Sequence, residues 1–144
     1  MIDWTSLINL TVSFLLGSLI GWSREREGKT AGMRTHILVC LGSALFMAIN
    51  ISLAKAVPGI DPGRIAAGVV TGIGFIGAGC IVQTGSGVRG ITTAASIWIT
   101  SAIGIAAGAG LYSEAVTATI FTVLTLQLLR EFEVRFIKTK GNNG

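Results

Sequence analysis

Charge is what this chain lacks most: Lys, Arg, Asp and Glu make up 12% of its 144 residues, where a soluble domain carries about 25%. With hydrophobic residues at 51%, that scarcity excludes an ordinary soluble globular domain. The acids Asp3, Glu25, Glu27, Asp61, Glu114, Glu131 and Glu133 all lie outside the apolar stretches or at their ends. No carboxylate sits at mid-membrane depth, which argues against a proton-driven carrier. Histidine occurs once. No serine elbow and no carboxylate pair set for acid–base work accompanies it, so an enzyme is not expected and no cofactor is implied. The two cysteines, Cys40 and Cys80, form no C-x-x-C and predict no disulfide framework. A P-loop is missing, because no Gly-Lys-Ser/Thr follows any glycine-rich loop. There is also no repeat of solenoid length and no nucleic-acid recognition module.

What is present is apolar sequence in long runs, at about residues 4–22, 36–56, 65–83, 91–111 and 113–129. Each approaches the ~20 residues that an α-helix needs to cross ~30 Å of hydrocarbon. The expected architecture is therefore all-α: a polytopic membrane domain of five transmembrane helices over residues 1–130, followed by a basic cytoplasmic tail, 131–144. In that tail a helical extension along the membrane surface is favoured over a strand. Trp4 and Trp22 bracket the first run at a separation of roughly 27 Å along a helix, matching the two aromatic belts of a bilayer. That run has no basic segment before it and ends Gly21-Trp22-Ser23 without an A-x-A-like site, so it reads as a retained span rather than a cleaved signal.

Orientation follows from the basic residues. Four lie between the first two runs, two in the next loop, one in the third, none in the fourth and four in the tail. The positive-inside rule then predicts the N-terminus outside and the C-terminus in the cytoplasm. The net charge of +4 collects on the cytoplasmic face, where it suits anionic membrane lipid and not nucleic acid. Both cysteines fall in the cytoplasmic half of the membrane, a second reason to expect free thiols.

Small residues recur at helical spacing. Ser13, Gly17 and Gly21, and likewise Ser96, Thr100, Gly104 and Gly108, form small-xxx-small stripes that let helix backbones approach closely. On the third helix Gly68, Gly72 and Gly79 share one face, with Gly74 and Gly77 opposite. That helix is expected to be enclosed on two sides and, with the fourth, to occupy the bundle centre. The turn Pro58-Gly59-Ile60-Asp61-Pro62-Gly63 should start it, Asp61 as N-cap and Pro62 as first residue. Thr92 or Thr93 should cap the fourth helix.

Three groupings could carry chemistry. His36 and Cys40 share a helix face, with Cys80 at similar depth, and three such soft ligands suit zinc or copper(I); tight helix packing is the competing reading for the thiols. The stretch 83–96, "QTGSGVRGITTAAS", sets Gly85, Gly87 and Gly90 beside Arg89 ahead of a helix N-terminus. It can bind phosphate or a lipid headgroup, meet an acid such as Glu25, or simply turn. A path for a hard cation would need oxygens, from Thr71, Thr100, Thr122, Asn50 and Gln83, with Asp61 as outer attractor and Glu25 and Glu27 as inner ones.

The runs "GWSREREGKTAGMRTHILVCLGSAL", "DPGRIAAGVVTGIGFIGAGCI" and "VRGITTAASIWITSAIGIAAGAG" resemble the MgtC/SapB family of bacterial inner-membrane proteins, over about residues 7–130. The resemblance implies a multi-pass protein of the cytoplasmic membrane that supports magnesium homeostasis and growth at low magnesium. Magnesium would be a sensed or transported ion. Through the virulence branch of the family it also implies a membrane partner such as the F-type ATP synthase. That branch places Asn where this chain has Thr92 and commonly Gln where it has Gly68, and many relatives carry a soluble C-terminal domain that is not expected here. These departures point away from the virulence activity. The matching elements mark Glu25, Arg26, Arg34, Thr35, Asp61, Arg64, Arg89, Thr92 and Thr93 as a functional polar cluster. Within it, Glu25 and Arg34 are expected to pack against the other cytoplasmic loop. A homo-oligomer, a dimer by preference, would supply the symmetry that five spans lack. The reading is thus a non-enzymatic regulator acting through a membrane partner, or alternatively a transporter or channel for magnesium or another cation.

Overall fold

The computed structural model describes residues 4–132 apart from 62 and 86, with the backbone alone for 129–132. The five apolar runs fold as five helices: α1 Trp4–Arg26, α2 Met33–Ala56, α3 Gly63–Ala78, α4 Ile91–Gly108 and α5 Tyr112–Phe132. Of these, α1, α2 and α4 are each long and apolar enough to cross a membrane, and α3 is a shorter apolar helix of 16 residues. The basic tail beyond Phe132 lies outside the described residues.

The chain is apolar outside and polar within, the arrangement that lipid demands and water would penalise. Leu19, Leu38, Phe75 and Phe121 are more than half exposed, whereas Asn9, Ser13, Arg24, His36, Asn50, Ser96 and Thr100 are buried. This is a membrane protein.

Helix α4 is the hub, touching each of the other four helices. The glycine stripes explain how. A Cβ added at Gly17 would come within 2.9 Å of the Cys40 Cβ, and one at Gly21 within 2.6 Å of the Met33 Cα. At Gly104 it would strike the Cys40 carbonyl, and at Gly108 the Ala44 carbonyl. Backbones thus meet where side chains are missing, so α1 and α4 both pack closely on α2, each at Cys40. Leu16, Ile20, Cys40, Ile103, Ala107, Ala115 and Leu126 fill the remaining core between α1, α2, α4 and α5.

Helix α3 corrects the expectation of a central, doubly enclosed element. It packs on α4, where Gly77 faces Ala94, and only lightly on α2. At Gly68, Gly72 and Gly74 an added Cβ would meet nothing within 4 Å. Glycines permit close approach but do not compel it: between α2 and α3 lies a groove of about 820 Å³, lined on the α2 side by Leu38, Val39 and Phe46.

The third apolar run also ends earlier than expected. After Gly79 the chain turns, and β1 Val82–Thr84 pairs antiparallel with β2 Gly87–Arg89. This short hairpin brings the chain directly to α4. Its N-cap is Gly90 at φ +91, with no side-chain cap, so neither Thr92 nor Thr93 serves that role. An added Cβ there would collide with the Cys80 carbonyl.

Candidate functional site

The stretch 24–36 carries most of the polar residues at one end of the bundle, and its geometry begins with the end of α1. Gly28 takes φ +63. Its N–H donates to the Glu25 carbonyl (3.0 Å), and that of Lys29 donates to the Arg24 carbonyl (3.1 Å). These two bonds are a Schellman cap, which a left-handed glycine makes possible. The turn brings the chain back so that the Glu25 carboxylate accepts from the Met33 N–H at 2.7 Å. Glu25 thereby supplies the cap that Gly32 cannot, and sets negative charge at the positive end of α2.

One residue earlier, Arg24 points the other way. It lies on the inward face of α1, one turn past Gly21, and is 2% exposed. Its Nη1 pairs with Glu27 at 3.1 Å, and Nη2 donates to the Thr93 hydroxyl of α4 at 3.4 Å. An ion pair withdrawn from solvent needs such supplementary bonds to offset its desolvation.

His36 lies beside this pair, fully buried. Its Nδ1 is 2.8 Å from the Gly32 carbonyl, so Nδ1 carries a proton. Nε2 is 3.1 Å from Ser96 Oγ. The Ser96 hydroxyl also lies 2.8 Å from the Thr93 carbonyl, and its single proton serves one of the two acceptors. Arg24, Glu27, His36, Thr93 and Ser96 therefore join α1, α2 and α4 through one polar knot.

Polar contacts continue toward the opposite end. Ser43 and Ser101 pair at 2.9 Å between α2 and α4. Asn9 donates to the Gly108 carbonyl at 2.9 Å and accepts from the Tyr112 hydroxyl, tying α1 to α4 and α5. Gln127 of α5 donates to Ser23 at 3.1 Å.

Of the functional polar cluster expected from the sequence, the structure draws only Thr93 into the buried knot, which also takes in Glu27, His36 and Ser96, expected in other roles. Arg26, Arg34, Arg89 and Thr92 are exposed, Thr35 is half-buried, and Glu25 acts as a cap. Among the described residues no ion pair links Glu25 to Arg34 or Arg89. Asp61 and Arg64 belong to the far end of the molecule, where Asp61 accepts from the Gly63 N–H at 2.8 Å as the expected helix start requires. Ser96 was legible as an inward residue, as the first member of the stripe on α4, whereas the stripe on α1 leads at its spacing of four to Glu25. Arg24 was passed over because charge at a helix end ordinarily reads as solvated.

His36, Cys40 and Cys80 do not form a metal centre. Both imidazole nitrogens are engaged by oxygen, Cys40 is buried in the core, and the Cys80 thiol donates to the Ile76 carbonyl. Among the described residues no group of three His, Cys, Asp or Glu side chains converges on a point. The hydroxyls proposed for a cation path are turned onto their own helices: Thr71 donates to Ala67, Thr100 to Ser96 and Thr122 to Ala118.

Comparison with known proteins agrees with this architecture. The family model described as the MgtC family matches residues 10–135. The chain is 41% identical over 138 residues to the Escherichia coli (strain K12) protein named "Putative magnesium transporter YhiD", covering 91% of this chain and 63% of that protein. It is 41% identical over 131 residues to Protein MgtC of Salmonella typhimurium (strain LT2), covering 91% and 55%. With Protein MgtC of Brucella abortus it shares 46% identity over 121 residues, covering 84% and 50%. The chain thus spans between half and two thirds of the length of these relatives. No solved structure matches it. On the family match and on identities of this size over most of its length, the chain belongs to the MgtC family.

Proposed function

We propose that this protein supports magnesium homeostasis in a bacterial inner membrane as a non-enzymatic regulator, binding a membrane partner through its cytoplasmic face. The observation that carries this reading is the contrast between a closed interior and an open rim. Inside the bundle Arg24 is bonded to Thr93, His36 to Ser96 and Ser43 to Ser101, and Thr100 donates to a carbonyl of its own helix. The charges at the same end, Glu25, Arg26, Lys29, Arg34 and Arg89, stand exposed. A rim of that kind suits docking, since exposed charges select and steer partners more than they stabilise a fold. The N-terminus lies outside in this reading, and the native unit is a homodimer. The F-type ATP synthase is the partner that the family resemblance suggests.

A second reading, transport of magnesium or another cation, draws on the buried polar seam from Asn9 to Arg24 and on the name of the YhiD relative. It is the weaker one, because a fully buried guanidinium at one end of that seam would repel the cation.

Growth at limiting magnesium tests the first reading, in a bacterium lacking its own MgtC-family protein and supplied with this chain. Arg34→Ala and Arg89→Ala should abolish rescue while leaving the amount of membrane-inserted protein unchanged. Full rescue by both would overturn it.

A further inference from the structure

The proposed function leaves unused an apolar groove between α2 and α3. Its walls are apolar: Leu38 and Phe46 on one side, Ile65, Val69 and Ile76 on the other. One charged residue, Arg64, lines it, at the first turn of α3. Arg64 and Ile76 stand about 18 Å apart along the helix, slightly more than half of the ~30 Å hydrocarbon thickness. The groove therefore runs from a cationic rim to about the depth of one leaflet. Its floor is open because Gly68 and Gly72 present no side chain.

We propose that this groove holds one anionic phospholipid, with an acyl chain between α2 and α3 and its phosphate on the Arg64 guanidinium. The charge is complementary and correctly placed: a phosphate accepts hydrogen bonds from a guanidinium strongly, at the level of the membrane where α3 begins. Among the described residues no ion pair joins Asp61 to Arg64. The volume of about 820 Å³ falls in the range of small-molecule sites.

The test reads lipid and needs no ion, so it stands apart from the magnesium reading. The purified protein in detergent is equilibrated with phosphatidylglycerol or with phosphatidylcholine, and bound lipid per chain is counted by native mass spectrometry. Wild type should retain one phosphatidylglycerol per chain in preference to phosphatidylcholine. Arg64→Gln should weaken phosphatidylglycerol at least tenfold and erase the preference, while Arg64→Lys keeps it. Gly72→Leu sends its side chain into the groove from a position where an added Cβ meets nothing within 4 Å, and should reduce retention of both lipids with an unchanged circular dichroism spectrum. Equal retention by wild type, Arg64→Gln and Gly72→Leu would overturn the proposal. So would a Gly72→Leu variant that keeps its lipid but changes the number of chains per particle, which would assign the groove to a second copy.

Discussion

The imidazole of His36 and the hydroxyl of Ser96 meet at 3.1 Å between α2 and α4, sixty residues apart in sequence. His36 reaches that position because Glu25 caps α2 and fixes where the helix begins. Ser96 reaches it because the hairpin and Gly90 deliver α4 close beside Cys80.

A double-mutant cycle on this pair measures what the contact contributes. Interhelical hydrogen bonds in membrane proteins average about 0.6 kcal/mol and reach about 1.7 kcal/mol, so the coupling between His36→Ala and Ser96→Ala should fall in that range. His36→Ala alone should destabilise by about 2 kcal/mol or more, because it also leaves a cavity at a fully buried site. Unfolding in mixed micelles provides the readout, and additive losses would remove the contact from the account.

The glycines should divide into two classes under substitution by alanine. At Gly17, Gly21, Gly104 and Gly108 an added methyl enters a neighbouring backbone, and over-packing typically costs about 1–3 kcal/mol. At Gly68 and Gly72 it enters open space, and the gain in helix propensity, about 0.8–1.0 kcal/mol, should show as a slight stabilisation. Thermal midpoints in detergent for the six variants check the division. A loss at Gly68 or Gly72 comparable to that at Gly17 would mean that α3 has a close neighbour on that face.

Arg24 and Glu25 are adjacent but should behave differently. Arg24→Ala takes the guanidinium away from the Glu27 carboxylate, which is 9% exposed, and breaking a buried pair costs about 3–5 kcal/mol. Glu25→Gln keeps an oxygen for the Met33 N–H and should change stability little, whereas Glu25→Ala loses a cap worth about 1 kcal/mol. Protease resistance of the purified variants ranks them. Equal sensitivity of Arg24→Ala and Glu25→Gln would contradict the buried position of the guanidinium.

Much of this was readable in the sequence. Apolar run length gave the five helices, since lipid imposes a length on whatever crosses it. The spacing of Ser13, Gly17 and Gly21, and of Gly104 and Gly108, marked faces for close approach on α1 and α4, but not that α2 lies against both. Continuing the first stripe at its spacing of four leads to Glu25 and not to Arg24, so the inward direction of Arg24 was not encoded there. Nor was the position of α3, because periodicity identifies a face without saying whether a neighbour fills it. The hairpin at 82–89 has strands of three residues each, too short for alternation to register, and its glycines served equally well as an anion loop. His36 was seen as a metal ligand because its partner, Ser96, lies on another helix and only the fold brings them together.

The claim most in need of a direct test is that this protein acts without conducting the ion. Purified, inserted protein is reconstituted into liposomes containing a trapped magnesium indicator, with wild type, Asp61→Asn and Glu25→Gln compared against protein-free liposomes. The account predicts no influx above the protein-free rate for any of them. Saturable influx by wild type, lost in either variant, would contradict it and make the buried polar seam a conduction path.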